Sequence, residues 1–204
     1  RRDAALLRSW GALSGTLQSG ETAARGRDKP VRCIDSGHVS AGEALLAWRA
    51  GEMAAAGADG EAIERELQRL RPLTMTWAMA RDISHAVRGG RIPRWAGPVV
   101  RWSGLTPVAA VSAAGTLKVA GGLFAKQRAP EAFARYVGKR TPEAPGWRLV
   151  VGHADALVDG ERLLAALRER LPVVEAHLVE VGPAVGAHAG QGTLVVGLQP
   201  APSA

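Results

Sequence analysis

The chain has 204 residues, 47% of them hydrophobic and 4% aromatic, enough for one large or two small domains with a core of Leu, Val, Ile and Ala. Its formal net charge of +7 favours anionic partners, but the basic residues are scattered and not interleaved with aromatic ones, which argues against a nucleic-acid partner. With the single cysteine Cys33 and no apolar run of about 18 residues, the sequence excludes an internal disulfide and a membrane span and predicts a cytoplasmic protein.

The first predicted elements are a short helix and a strand. The helix follows Ser14-Gly15-Thr16, and the apolar run 31–34 then predicts a buried strand that ends at Asp35-Ser36. This order is typical of half a βαβ unit. Because the sequence begins with Arg1 and no strand is predicted before Ser14, we expect the chain to be a fragment of a longer protein.

Two helices are predicted next. The first covers residues 42–56, with Ser40 as its N-cap, an almost continuous apolar surface and Gly57 as its stop. The second begins after the cap Asp59 and ends before Pro72, since its apolar residues recur at helical spacing. Both helices are expected to pack in the core.

A domain boundary is predicted near residue 75, where the pattern breaks. Beyond it, Trp77, Ala80, Ile83 and Val87 mark one face of a helix that ends at Gly89-Gly90. The remaining predicted elements are a hairpin of residues 107–110 and 116–120, a helix from Pro130, a strand at 148–151, a helix at 161–171, and strands at 176–181 and 193–198. A glycine-rich turn holding His188 separates the last two strands.

The segment Ser14-Gly15-Thr16 has the chemistry of an anion site. Two hydroxyls, free backbone N–H groups and the positive end of a helix dipole could together hold a carboxylate or a phosphate. The alternative is that Ser14 or Thr16 is only an N-cap, worth about 1 kcal/mol. The same choice applies to Asp35-Ser36, since the carboxyl ends of strands in open α/β sheets face the crevice where ligands bind.

Arg91 and His188 are the other candidate anion ligands. Arg91 follows the glycines that end a helix, so its guanidinium could form a bidentate contact with an oxyanion. His188 lies among glycines that allow close backbone approach, and its imidazole could donate to an anion. Taken separately, Arg91 is better explained as an exposed surface side chain, and His188 as a structural or solvated one.

The sequence gives weaker support for a metal site and for a serine-dependent enzyme. The remaining histidines show no metal-ligand spacing and there is one cysteine, so no metal is expected. A serine hydrolase or acyl transferase would need Ser14 as nucleophile, His188 as base and Asp35 or Asp155 as orienter. However, no G-x-S-x-G motif surrounds Ser14, no strand is predicted before it, and glycine-rich nucleotide loops are missing.

Four segments in this order resemble the DegV family, the fatty-acid-binding subunits of bacterial fatty-acid kinase. They are Leu13-Ser14-Gly15-Thr16-Leu17-Gln18-Ser19, Ile34-Asp35-Ser36, Gly89-Gly90-Arg91-Ile92, and residues 182–192. The resemblance extends over almost the whole chain. It implies a two-domain α/β fold that closes over an acyl chain: residues 1–75 as the remainder of an N-terminal parallel α/β domain, and residues 76–204 as an α+β domain with an antiparallel sheet.

The resemblance also implies roles for individual residues. Ser14, with Thr16, would bind the fatty-acid carboxylate from one domain, and Arg91 and His188 would approach it from the other. Arg128 matches a basic position near the head group or the kinase, although it could instead be a surface arginine. The protein would be a carrier without a cofactor or catalytic residues, and a separate or fused kinase would phosphorylate the carboxylate. A transient contact with a membrane surface is compatible with this role.

The sequence departs from the family pattern in several respects. The last motif usually reads His-Thr-Gly-Pro-Gly, but Ala189 and Gln191 replace the threonine and the proline, which removes a hydroxyl and loosens a turn. The family also has a further N-terminal stretch that supplies its first strands and another hydroxyl to the carboxylate. If that stretch is missing, the sheet would be incomplete. A serine-dependent acyl hydrolase using Ser14 and His188 is the alternative function.

Overall fold

The structure is a computed structural model that describes residues 4–8, 16–25, 31–90, 96–112, 116–125 and 128–202. The strands are β1 (Ala4–Arg8), β2 (Val31–Asp35), β3 (Met75–Met79), β4 (Thr106–Val111), β5 (Leu117–Leu123), β6 (Trp147–His153), β7 (Val173–Glu180) and β8 (Leu194–Pro200). The helices are α1 (Thr16–Ala24), α2 (Ser40–Ala55), α3 (Gly60–Leu70), α4 (Ser84–Arg88), α5 (Ala96–Ser103), α6 (Ala129–Gly138), α7 (Leu157–Arg168) and α8 (Pro183–Ala189).

The N-terminal part contains a parallel pair of strands. β1 pairs with β2 in register from Ala4 opposite Val31 to Arg8 opposite Asp35, and α1 connects them. The expectation that no strand precedes Ser14 was therefore wrong: the chain carries a complete βαβ unit. A five-residue strand is too short for its hydrophobic alternation to identify it in the sequence.

The C-terminal part is built on a six-stranded sheet with the order β5-β4-β3-β8-β6-β7. All neighbouring strands are antiparallel except β6 and β7, which α7 connects in parallel. The α/β fold class is thus confirmed, with a small parallel sheet followed by a mostly antiparallel one. The boundary near residue 75 stays a prediction, and it falls on the first residue of β3.

Helices cover both faces of the large sheet, because side chains alternate along its central strands. Leu149 and Val151 of β6 face the main core, to which α6 and α7 contribute Phe133 and Leu163. Val150, between them, belongs to a second cluster formed with α2. The backbone of α2 comes so close to β8 that a Cβ at Gly197 would stand 2.5 Å from a carbonyl oxygen of α2.

A smaller core joins β2 to the helices that follow it. Ile34 of β2 and Leu46 of α2 pack with three residues of α3 at helical spacing, which are Ile63, Leu67 and Leu70. The start of α3 is fixed as predicted, since the Asp59 carboxylate accepts a hydrogen bond from the backbone N–H of Ala62 at 2.7 Å.

Most of the predicted elements are present. Strand β2, helices α2, α3 and α6, the β4–β5 hairpin and strands β6, β7 and β8 are confirmed, with ends that differ by a few residues. Gly57, at φ +87°, follows the end of α2 as expected. The three residues 113–115 at the tip of the hairpin lie outside the described residues.

Two further predictions were wrong, and a third element starts earlier than predicted. Trp77 lies in β3 and not on a helix, because β3 is held between two antiparallel partners that are distant in sequence; the helix before Gly89 is only α4. Ser40 is the first residue of α2, at φ +51°, while Val39 occupies the N-cap without a side-chain bond. Helix α7 begins at Leu157, four residues before the predicted start at Glu161. Helices α5 and α8 have no counterpart among the predicted elements.

Candidate functional site

Two short helices, α4 and α8, meet through their histidines and glycines. A Cβ at Gly89, the C-cap of α4, would stand 2.9 Å from Nδ1 of His188. A Cβ at Gly190, the C-cap of α8, would stand 2.9 Å from Cδ2 of His85 on α4. Each ring therefore occupies the space that a side chain would need at the opposite glycine.

His188 lies on a helix, and the predicted glycine-rich turn is confined to the residues after it. Pro183 at the first helical position pre-organises the start of α8. Gly190 ends the helix at φ +80°, a conformation that favours glycine, and its N–H donates to the carbonyl of Gly186 at 2.8 Å. His188 is exposed in the last turn of the helix.

A cavity of 970 Å³ lies beside the same α4 helix. It extends between the β3–α4 loop, α4, α5 and the start of β4, and its volume falls within the roughly 300–1,000 Å³ typical of ligand sites. The apolar side chains Ile83, Val87, Pro98, Val100 and Leu105 line it. Arg88, the last lining residue of α4, is directly followed by Gly89, so the cavity adjoins the contact with His188.

Several polar groups of the cavity lie at the start of α4. The Asp82 carboxylate accepts hydrogen bonds from the backbone N–H of Ser84 at 2.8 Å and from its hydroxyl at 2.7 Å. These bonds, the backbone one first, lower the pKa of Asp82. Arg81 and Arg88 line the cavity as well, so its wall carries basic groups beside a carboxylate that stays ionised.

Arg81 also lines a second, shallower cavity of 580 Å³ at the start of α7. There it forms an ion pair with Asp159. Two other residues that line this cavity form a hydrogen bond, in which the side-chain amide of Gln191 donates to Oδ2 of Asp155 at 2.6 Å. Gln191 thus makes a defined hydrogen bond in the turn after α8.

The structure describes the predicted site residues unequally. Ser14 and Arg91 lie outside the described residues; Thr16 is the first residue of α1, and its side chain is likewise outside them. Arg128 is exposed at the N-cap of α6. Only for His188 are side-chain contacts established among these positions.

Asp35 and Ser36 are engaged in local contacts at the end of β2. The Asp35 carboxylate accepts from the N–H of Gly37 at 2.9 Å, and a carboxylate oxygen lies 3.7 Å from the Arg71 guanidinium. The Ser36 hydroxyl donates to the carbonyl of His38 at 3.0 Å. These contacts correspond to the structural alternative that the sequence left open.

His38 forms a buried network that the sequence analysis did not identify. Its Nε2 lies 2.9 Å from the carbonyl oxygen of Arg71, so this nitrogen donates, and Nδ1 then accepts from the Thr76 hydroxyl at 2.9 Å. Burial lowers the pKa of His38, which favours this neutral form. The network joins the end of β2 to β3 of the large sheet, and its partners are too distant in sequence to show as a motif.

Neither a metal cluster nor a membrane helix is found in the described part of the chain. None of its His, Cys, Asp and Glu side chains form a group of three or more that could hold a metal ion. None of the described helices has the length and apolar character needed to cross a bilayer.

The sequence matches one protein family along most of its length. The family model described as "Uncharacterised protein, DegV family" matches residues 6–201. A DegV domain-containing protein of Clostridium perfringens is 25% identical over 190 residues, and one of Streptomyces coelicolor is 29% identical over 191 residues. These alignments cover 91% and 90% of the chain but 65% of each relative, so the chain spans just under two thirds of their length.

Solved structures share the fold. A fatty-acid-binding DegV family protein from Thermus thermophilus is 27% identical, with a TM-score of 0.83. The match covers 98% of this chain and 71% of the Thermus protein. A fatty acid binding function is described for the protein TM841 from Thermotoga maritima, which is 25% identical with a TM-score of 0.83. That match covers 97% of this chain and 68% of TM841. The Fatty Acid Kinase (Fak) B3 protein of Streptococcus pneumoniae, loaded with linoleic acid, is 20% identical with a TM-score of 0.87, covering 98% and 72%.

Proposed function

Because the chain belongs to the DegV family, we propose that it binds a long-chain fatty acid and holds the carboxylate for phosphorylation by a partner kinase. The observation that supports this most directly is the 970 Å³ cavity whose wall, α4, ends at the Gly89–His188 contact. An apolar cavity beside a basic side chain suits a ligand with a long apolar tail and an anionic head. The fatty-acid-binding relatives from Thermus and Thermotoga support the same ligand class.

The apolar lining would supply most of the binding free energy. Each methylene group removed from water contributes about 0.8 kcal/mol, so even part of an acyl chain between α4 and α5 would be held firmly. Arg88 at the cavity wall would also favour an anionic ligand over a neutral one. Binding to neutral lipids is therefore expected to be weaker than to fatty acids of the same length.

The carboxylate would be bound at the end of α4. Arg91 follows Gly89 by two residues in the sequence. Together with His188, it would contact the head group from the C-terminal part of the chain. We assign the contacts from the N-terminal part to Ser14 and Thr16, which precede and begin α1.

A carrier role follows from this arrangement. The protein would supply binding and orientation, and the kinase would transfer the phosphoryl group to form an acyl-phosphate. Arg128, exposed at the start of α6, is proposed to contact the head group or the kinase. The fold similarity to the Fak B3 protein is compatible with such a partner. The serine-dependent acyl hydrolase remains the alternative.

Fatty-acid binding can be tested on the delipidated protein. Calorimetric titration with oleate should give saturable binding near one equivalent, weakened by Arg91→Ala and by His188→Ala. Arg65→Ala is the matched control, because Arg65 forms an exposed ion pair within α3. Full-strength binding in both site variants would refute the assigned residues, and no binding of oleate or palmitate by the folded protein would refute the function.

The kinase role needs a separate experiment. The lipid-loaded protein is incubated with a fatty-acid kinase catalytic subunit and ATP, and acyl-phosphate is trapped with hydroxylamine. Arg128→Ala should lower the yield while oleate binding persists if this residue contacts the kinase. Labelling of Ser14 by a fluorophosphonate, together with hydrolysis of an acyl ester, would support the hydrolase instead.

A further inference from the structure

Two carboxylates of one five-residue segment, Asp155 and Asp159, contact the segments next to α8 and α4, the two helices that meet at His188. Asp159, in the first turn of α7, pairs with Arg81, which lies three residues before α4. Asp155 accepts a hydrogen bond at 2.6 Å from Gln191, which follows α8 by two residues. The two carboxylates therefore connect α4 and α8 to a common support.

On the α4 side, Arg81 does more than pair with a charge. A Cβ at Gly192 would stand 3.1 Å from its Cδ, so the aliphatic stem packs against the turn after α8. The carbonyl oxygen of Asp82 would lie 3.5 Å from a Cβ at Gly190. The loop before α4 thus lies directly on the turn that follows His188.

On the α8 side, backbone hydrogen bonds add to the one that Gln191 donates to Asp155. The N–H of Gly192 donates to the carbonyl of Ala154 at 2.8 Å, and the N–H of Ala154 donates to the carbonyl of Thr193 at 2.9 Å. The Thr193 hydroxyl donates at 2.7 Å to the carbonyl of Ala189, the residue after His188. A continuous set of hydrogen bonds therefore leads from residue 154 to the end of α8.

Asp155 itself has a left-handed backbone at φ +47°, which is uncommon for a residue other than glycine. Such conformations persist when the surrounding contacts enforce them, and they are concentrated at functional sites. In this conformation the carboxylate of Asp155 reaches Gln191 across the turn.

We propose that Asp155 and Asp159 are positioning residues that fix α8 against α4 and so place the His188 ring at the head-group end of the cavity. The inference rests on the proposed fatty-acid function. The Gln191–Asp155 hydrogen bond restricts the turn after α8. The Arg81–Asp159 pair secures the opposite side.

The test compares three variants of the turn. Gln191→Ala should weaken oleate binding several-fold and shift the NMR signals of the His188 ring in the ligand-free protein. Asp155→Asn, which keeps an acceptor oxygen and tolerates positive φ, should be milder than Asp155→Ala.

Gln68→Ala is the control, because Gln68 makes an exposed hydrogen bond within α3, at 3.4 Å from Glu64. The ring signals of His188 test the positioning even if the protein binds no fatty acid, so the two proposals can fail separately. Unchanged His188 signals in folded Gln191→Ala and Asp155→Ala would overturn the positioning role.

Discussion

The His188 ring stands where the side chain of residue 89 would be, since a Cβ at Gly89 would come within 2.9 Å of its Nδ1. A separation this short is not found for ordinary Cβ contacts, so any substitution at Gly89 must displace the ring or the end of α4. The position links a glycine of one motif to the histidine of another, almost a hundred residues later in the sequence.

Gly89→Ala should therefore weaken fatty-acid binding on the order of tenfold, equivalent to about 1.4 kcal/mol. The added methyl group pushes the His188 ring away from the head group, and titration with oleate measures the effect. Gly51→Ala is the matched control, because a Cβ at Gly51 in α2 meets nothing within 4 Å. Equal affinities of the two variants for oleate would show that Gly89 does not contribute to the ligand site.

Val87→Phe should shift the bound lipids toward shorter acyl chains. Val87 lines the 970 Å³ cavity, and the larger ring would occupy part of the space proposed for the acyl tail. Mass spectrometry of the lipids that copurify with the protein would show the change. Leu73→Phe, at an exposed position away from the cavity, should leave the lipid profile as it is in the unmodified protein.

The stability of the protein should fall as the pH is lowered from about 7.5 to about 5.5. Burial lowers the pKa of His38 below its ordinary value of 6.5, while Asp35 and Arg71 face it with opposite charges. The unfolded chain takes up a proton at His38 as the pH falls through that ordinary value, and the folded protein does not. The stabilisation, complete above the unfolded pKa, is then lost by at most about 1.4 kcal/mol per pH unit until the folded pKa is reached.

Urea unfolding at the two pH values measures this effect. His38→Gln can still donate to the carbonyl of Arg71 and accept from Thr76, but it does not titrate, so its stability should depend less on pH. Gln68→Ala, at an exposed site in α3, should keep the pH dependence of the original protein. An identical pH dependence for the His38 variant would assign the effect to other groups.

Glu52→Gln should lower the free energy of unfolding by about 1–3 kcal/mol, because it weakens the partner of a buried cation. Arg148 on β6 is 9% exposed and donates to both carboxylate oxygens of Glu52 on α2, with Glu175 as a second partner at 3.2 Å. Glu61→Gln, in an exposed ion pair within α3, should cost less than about 0.5 kcal/mol. Urea unfolding would compare them, and equal losses would contradict the importance of burial at Arg148.

Elements with strong local signals were predictable from the sequence. Helix α3 has an N-cap at Asp59 and apolar residues at helical spacing, and both features depend on short-range geometry. Strand β3 shows the opposite case: the spacing of Trp77, Ala80, Ile83 and Val87 resembles a helix, but pairing with β4 and β8 decides its structure. Such pairing cannot be seen in a local pattern.

The candidate site was predictable only in part. His188 was selected from a motif, but three glycines near it suggested a turn, whereas Pro183 begins a helix there. The cavity depends on α5, which the sequence analysis missed, and on its packing beside α4. The contacts of Gln191 and His38 join positions more than thirty residues apart, so no local spacing announces them.

Leu45 and Leu46 are neighbours in α2, yet they belong to different cores, one with the large sheet and one with α3. One of these cores therefore contains residues from both sides of the predicted boundary at residue 75. Releasing the first 75 residues would expose Val150 and Val195 of the large sheet to water. We therefore expect amide protons of α2 and of the central strands to exchange in one cooperative opening, as in a protein with a single folding unit.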